Sequence, residues 1–208
     1  MANDPHLTLS APGSWYLARM ELATGGVIGG TIPGIPAILT GRSEQLGWGI
    51  TASFLDDQDL FIEKLNPDTP EEYLTPQGYQ TFTKRPSIIK IKDEPPVTLT
   101  LRWSENGPIL PGSLFGLSAI TPPGHVVSLG WTALDPHDTS LTAAIDLMRS
   151  SNVSQAIAAG EGFIAPSQNL VLADRTTIAQ KTIGAFPARD ARHHSKGRLP
   201  SQGWQRLN

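Results

Sequence analysis

A few short segments carry the side chains best able to do chemistry. Asp56-Asp57-Gln58-Asp59 packs three carboxylates and a carboxamide into four residues. These are hard oxygen donors of the kind Ca²⁺ takes, although the same run also reads as a solvated acidic turn. Pro166-Ser167-Gln168-Asn169 leads into the apolar run Leu170-Val171-Leu172. Asn169 offers a neutral amide, a strong donor that adds no charge, or it simply caps the start of a strand. Asp4-Pro5 initiates a turn, and His6 follows it as a titratable group or as a surface side chain. Arg189 closes Gly184-Ala185-Phe186-Pro187-Ala188-Arg189 with a guanidinium. His193 and His194 are adjacent, so their side chains diverge, and they read as polar loop rather than as a metal pair. No Gly-x-Ser-x-Gly elbow, His-Glu-x-x-His or Gly-rich phosphate loop is present.

Composition narrows the chemistry further. The 208 residues contain no cysteine, which removes disulfides, thiolate catalysis and zinc–thiolate sites. A net charge of −3, with Lys and Arg scattered along the chain, provides no basic face for nucleic acid. No apolar run approaches the roughly 20 residues of a membrane helix. Hydrophobic content of 39% is enough for a sizeable core. Gly 20 and Pro 18 exceed the usual combined share of about 12%. They alternate with apolar segments, as turns do between strands.

The elements that must position these groups are mostly strands. Residues 14–22 and 26–31 read as a hairpin around Thr24-Gly25-Gly26. Ile32-Pro33-Gly34-Ile35-Pro36 dictates a bend before a strand over Ala37–Thr40. Residues 47–54 and 59–65 read as strands flanking the acidic turn. From 79 to 103 the apolar positions Val97, Leu99, Leu101 and Trp103 alternate with Thr98, Thr100 and Arg102, the mark of an antiparallel sheet with one wet face. A strand over 125–132 follows. Helical spacing appears only after residue 138: Asp138 or Thr139 caps Leu141, Ala144, Ile145 and Met148, and Asn152 caps a second helix closed by Gly160. Strands near 169–174 and 177–183 precede a polar tail with no core of its own.

In order along the chain, these segments resemble the penicillin acylase (penicillin amidase) family of N-terminal-nucleophile hydrolases. Asn3-Asp4-Pro5-His6-Leu7 looks like the segment that follows the family's catalytic serine by a short hairpin. Ile32–Gly34, then Trp48-Gly49-Ile50-Thr51-Ala52-Ser53-Phe54 running into Asp59-Leu60-Phe61-Ile62-Glu63, is similar to the family's Pro-Gly, Trp-Gly-x-Thr-x and Asp-hydrophobic-aromatic-x-Glu series. Pro166–Asp174 matches Pro-x-Gln-Asn, apolar residues and Ala-Asp, and Gly184–Arg189 matches Gly-x-x-Pro-x-Arg.

The resemblance implies an α+β chain, part of a four-layer αββα hydrolase fold, mainly antiparallel sheet with a short helical pair near 140–160. It implies that the backbone N–H of Ala52 and the side-chain NH₂ of Asn169 donate to an oxyanion, and that Arg189 orients Asn169. His6 would pack against the serine. Leu7, Thr40 and Ile50 would line an acyl pocket, and non-aromatic residues at the first two suit an aliphatic or differently shaped chain. Asp56, the Gln58 carbonyl and Asp59 would contribute to a structural calcium, with partial occupancy or none expected here. The implied reaction is hydrolysis of an N-acyl amide by serine acyl transfer, on penicillin-type side chains, acyl-homoserine lactones or lipopeptides.

In the family the serine opens the β-subunit after self-cleavage. Here Met1 stands before Ala2 and the serine is missing. The expectation is therefore one fragment of a β-subunit, truncated at both ends and inactive alone. Its partners would be an α-subunit and the remaining β-subunit in a periplasmic or secreted parent. The rival expectations are a non-catalytic β-rich binding module and a structural fragment that self-associates through exposed apolar faces.

Overall fold

The computed structural model describes residues 2, 3, 7, 10–193 and 195–205. In chain order the first strands are β1 (Tyr16–Leu22), β2 (Gly25–Thr31), β3 (Thr40–Arg42), β4 (Gly47–Ala52), β5 (Gln58–Lys64), β6 (Glu72–Thr75) and β7 (Gly78–Thr81). Next come β8 (Thr83–Ile89), β9 (Val97–Ser104), β10 (Gly107–Leu110) and β11 (His125–Trp131). Helices α1 (Ser140–Arg149) and α2 (Val153–Gly160) precede β12 (Gln168–Ala173), β13 (Ile178–Ile183) and β14 (Ser201–Gln202). The chain forms two compact units, residues 1–55 with 135–186, and 56–134 with 187–208.

The first unit is a sheet in the order β1-β2-β3-β4-β12-β13, antiparallel at every pairing. Side chains alternate across a strand, so Trp48, Leu170 and Leu172 share one face. They pack there with Ala144, Leu147, Met148, Val153 and Ala156 of the two helices. Asn152 caps α2 as its sequence position predicts, its side chain accepting from the Gln155 N–H at 3.0 Å. For α1, the Asp138 carboxylate takes the Ser140 N–H at 2.9 Å, while Thr139 sits at the cap position without a side-chain cap bond.

Two details depart from the sequence reading. The first hairpin pairs Leu22 with Gly25, so its loop is Ala23-Thr24, one position earlier than expected. Residues 37–39 are not strand, and β3 begins only at Thr40. The cause is that backbone groups in this stretch are claimed by side chains. Ala37 accepts the Thr31 hydroxyl at 2.6 Å, Ile38 accepts the Trp48 indole N–H at 3.0 Å, and the Ile38 N–H meets the Met148 sulfur at 3.1 Å. Only the Leu39 N–H keeps a bond to β2, donating to the Gly30 carbonyl at 3.0 Å, too little to continue the ladder.

The second unit holds a sheet in the order β14-β5-β11-β10-β9-β8 and a separate β6–β7 ribbon. Pairing is antiparallel except for β14, which joins β5 in parallel. The tail is thus part of this unit rather than a free extension, and His193 is buried with its Nε2 2.6 Å from the Ser201 hydroxyl. Glu63 lies buried in β5 and gathers the Ser104 and Ser128 hydroxyls at 2.6 and 2.7 Å and the Asn106 amide at 3.0 Å. The β8–β9 pairing confirms the alternating segment. Yet Val97 and Leu99 remain 45% and 46% exposed, so the apolar face read from the alternation is uncovered among the described residues. No described helix is long and apolar enough to cross a membrane.

Candidate active site

In the first sheet β1 and β12 begin, and β2 and β4 end, at the same edge. Ala52 and Asn169 therefore meet there. Register pairs Thr51 with Asn169 and Ala52 with Gln168. Just beyond the ladder the Ser53 N–H donates to the Ser167 carbonyl at 3.4 Å. Bonded and non-bonded pairs alternate in an antiparallel ladder, so Ala52 falls in a non-bonded pair and turns its N–H away from β12. On its other side β3 pairs only as far as Trp48. The Ala52 N–H is left outside the ladder, and the residue is exposed.

Asn169 stands between Thr51 and Thr182 across the sheet, and residues directly opposite project to one face. The Thr182 hydroxyl donates to its Oδ1 at 3.0 Å. With Oδ1 accepting from that hydroxyl, the NH₂ is left as the amide's available donor. Nothing in the sequence marked Thr182, which is paired to Asn169 only through the β12–β13 register.

Asn3 is a second residue the sequence motif contained without a role. Its amide donates to the Ile50 carbonyl at 3.2 Å and accepts the Thr40 hydroxyl at 2.8 Å. It lies so close over Gly49 that a Cβ there would come within 2.6 Å of its Cγ. Glycine is required at 49 by this approach, and the contact ties the start of the chain to β4 within three residues of Ala52.

A cavity of about 450 Å³ opens at this same sheet edge. Leu7, Trp15, Ile35, Leu39, Ile50 and Phe163 give it mainly apolar walls, and Ala52 and Gln168 lie on its rim. The Pro33-Gly34 bend builds one wall: the Ile35 N–H returns to the Ile32 carbonyl at 3.1 Å and Gly34 takes φ +92°, a turn that needs glycine at its third position. On another wall the Ser140 hydroxyl donates to Asp138 at 2.5 Å and accepts the Ile164 and Ala165 N–H groups at 2.9 Å. Asp174, at the far end of β12, accepts the Val153, Thr176 and Thr177 N–H groups. Those bonds, the Val153 one foremost, hold its carboxyl down to about 2.

Within the second unit Arg189 occupies the acidic turn. Its Nε lies 2.9 and 3.1 Å from the two Asp59 oxygens, and a terminal nitrogen donates to the Asp56 carbonyl at 3.0 Å. The pair is buried, with 6% of the Arg189 and 3% of the Asp59 side chain exposed.

The family model described as Penicillin amidase matches residues 1–208. The chain belongs to the penicillin amidase family. Among relatives it is similar to the acyl-homoserine lactone acylase QuiP of Pseudomonas aeruginosa, 30% identical over 98% of this chain and 24% of that protein. It is also similar to the penicillin G acylase of Escherichia coli, 31% identical over 53% of this chain and 13% of that protein. A solved penicillin G acylase from Alcaligenes faecalis superposes with a TM-score of 0.85 at 22% identity, covering 98% of this chain and 35% of that one. That likeness shows the fold, part of a penicillin-acylase N-terminal-nucleophile hydrolase built mostly from antiparallel sheet. The chain spans about a quarter of the length of the curated relatives it matches.

Set against the family pattern, the structure brings Leu7 and Ile50 into one cavity with Ala52 at its rim. Thr40 is not among the cavity's residues: its hydroxyl is turned to Asn3 over Gly49, on the opposite side of the strand from Ile50. Asn169 has its orienting bond from Thr182 inside its own unit, whereas Arg189 is engaged with Asp59 and Asp56. His6 lies outside the described residues. A calcium held by Asp56, Gln58 and Asp59 does not fit this arrangement. The guanidinium already fills the Asp59 carboxylate, Gln58 is an exposed residue of β5, and no group of three or more Asp, Glu or His able to hold a metal occurs among the described residues.

Proposed function

We propose that this chain supplies the acyl pocket and the charge-stabilising donors of an amide hydrolase that acts on N-acyl substrates by acyl transfer. The observation that carries this reading is the meeting at one sheet edge of the free Ala52 N–H and an apolar cavity. The Thr182-anchored amide of Asn169 is one register pair away, opposite the cavity residue Thr51 and on the other face of the sheet from Ile50. When a serine attacks an amide carbonyl, negative charge collects on the carbonyl oxygen. Two preorganised neutral donors lower that barrier, each worth about 10²–10³ in rate. The acyl group would rest among Leu7, Ile50 and Phe163 while the amine departs and water resolves the acyl-enzyme. The attacking serine is assigned to no residue of this chain, and no step is routed through a metal.

The relatives' names bring acyl-homoserine lactones and penicillins forward as substrate candidates. Leu7 and Ile50 bring branched aliphatic side chains to walls that also hold Trp15 and Phe163, and on those two residues the assignment is to a fatty acyl chain rather than phenylacetyl. In the full-length protein that carries this chain, fatty acyl-anilides should therefore give the higher kcat/KM, and a preference for phenylacetyl-anilide would reject that assignment. The isolated chain should bind acyl ligands without hydrolysing them. Turnover abolished by Asn169→Ala would overturn that expectation. Exposed Phe54, Phe115, Leu17 and Ile178 mark faces for the rest of a longer protein, and in its absence sedimentation should show self-association. Export to the periplasm or beyond follows from the resemblance and is checked by fractionation.

A further inference from the structure

β3 pairs with β4 no further than Trp48. Backbone groups point alternately to the two sides of a strand. The Ile50 carbonyl and the Ala52 N–H, two residues apart, therefore both face the side of β4 away from β12, and they are consecutive groups along that edge. The carbonyl is taken by Asn3, whose side-chain NH₂ donates to it at 3.2 Å. The N–H beside it stays outside the ladder.

Asn3 stands where the β3–β4 ladder would continue. By the Gly41–Trp48 register Thr40 falls opposite Gly49, yet the Thr40 hydroxyl donates to the Asn3 Oδ1 at 2.8 Å. One carboxamide thus bonds β3 at its oxygen and β4 at its nitrogen. It rests directly on Gly49, where a Cβ would come within 2.6 Å of its Cγ. A ladder carried on past this point would go on to pair the Ala52 N–H, and a donor so paired has nothing to offer a substrate. A donor held by bonds on its own strand is also aimed before the reaction begins, the condition under which it stabilises developing charge.

Resting on the reading of Ala52 as a charge-stabilising donor, we propose that Asn3 is a positioning residue: its carboxamide braces β3 against β4 and so keeps the Ala52 N–H unpaired and aimed at the reacting carbonyl. Asn3→Asp tests this, since it keeps the acceptor for Thr40 and puts an oxygen in place of the donor to Ile50. In the full-length protein that carries this chain, kcat on a fatty acyl-anilide should fall about tenfold with KM nearly constant. The variant should also bind octaneboronic acid, which becomes a tetrahedral anion when a serine adds to it, about tenfold more weakly, while the neutral octanamide binds as before. A purely structural role would lower Tm and leave the ratio of these two affinities where it was. Thr40→Val cuts the brace at its other end and should move the ratio the same way by about threefold; it decides the matter if Asn3→Asp does not fold. If the ratio is unchanged in a folded variant, or the loss is confined to KM, while Asn169→Ala still lowers kcat, the Asn3 inference is wrong and the acyl-transfer reading stands. If Asn169→Ala is without effect as well, both fail.

Discussion

Replacing Gly49 by alanine gives a sign-reversing test of how the start of the chain is held. A Cβ at position 49 would sit 2.6 Å from the Asn3 Cγ and 2.8 Å from its Cβ, too close for either atom to stay. Asn3 must then leave, and its bonds to the Ile50 carbonyl and the Thr40 hydroxyl go with it. At about 1 kcal/mol for each bond the loss is ~2 kcal/mol. Against this, glycine within a strand is itself unfavourable by roughly 0.5–1 kcal/mol relative to alanine. The net effect of Gly49→Ala is a destabilisation of about 1–1.5 kcal/mol, a fall in Tm of roughly 2–6 °C for a chain of this size. In an Asn3→Gly background the obstruction is absent, and the same substitution should raise Tm slightly. Thermal denaturation of the four proteins of the cycle measures the coupling directly, and about 2 kcal/mol is expected. Equal shifts from Gly49→Ala in the two backgrounds would refute the contact, and with it the anchoring of Asn3 on β4.

Three further outcomes follow from the same geometry. Thr182→Val removes the hydroxyl that fixes the Asn169 oxygen; a loss of about 1 kcal/mol lowers kcat of the full-length protein roughly fivefold with KM little changed, and steady-state kinetics should show that split. Asp174 is depressed to about 2 in the folded chain and titrates near 3.9 when unfolded, so its contribution is complete above about pH 4 and disappears as pH falls through about 2. The Tm difference between wild type and Asp174→Ala should therefore shrink across that window, and a difference unchanged at pH 2 would be the contrary result. Arg189→Met strands a buried Asp59 carboxylate at a cost of about 3–5 kcal/mol; millimolar Ca²⁺ should recover part of the lost Tm in this variant and leave the wild type unmoved, whereas a large Ca²⁺ shift in the wild type would show that the ion displaces the guanidinium.

What the sequence made legible is what local chemistry decides. The Pro33-Gly34 bend, the Asn152 cap and the alternation around β9 each depend on neighbours a few residues apart, and each recurs in the structure. Elements of two to four residues escaped: β6 and β10 are too short to show a period, and β14 exists only because β5 offers an edge. The residues 37–39 read as strand by composition, but the side chains of Thr31, Trp48 and, 110 positions away, Met148 took backbone groups of Ala37 and Ile38. The site divides the same way. Ala52 and Asn169 were named by motif, while the partners that set their geometry came from register: Thr182 stands across a hairpin from Asn169, and the Asn3 to Ile50 bond spans 47 positions. Thr40 bonds Asn3 instead of lining the cavity, because a family position fixes a residue's place along the strand but not which hydrogen bond its side chain will prefer.

The central claim, that Asn169 stabilises charge developing on the scissile carbonyl, is tested most directly by the kinetics of Asn169→Ala in the full-length protein on a fatty acyl-anilide. Loss of a donor used only in the transition state predicts a fall in kcat of about 10²–10³ with KM nearly constant. An unchanged kcat, or an effect confined to KM, would contradict it.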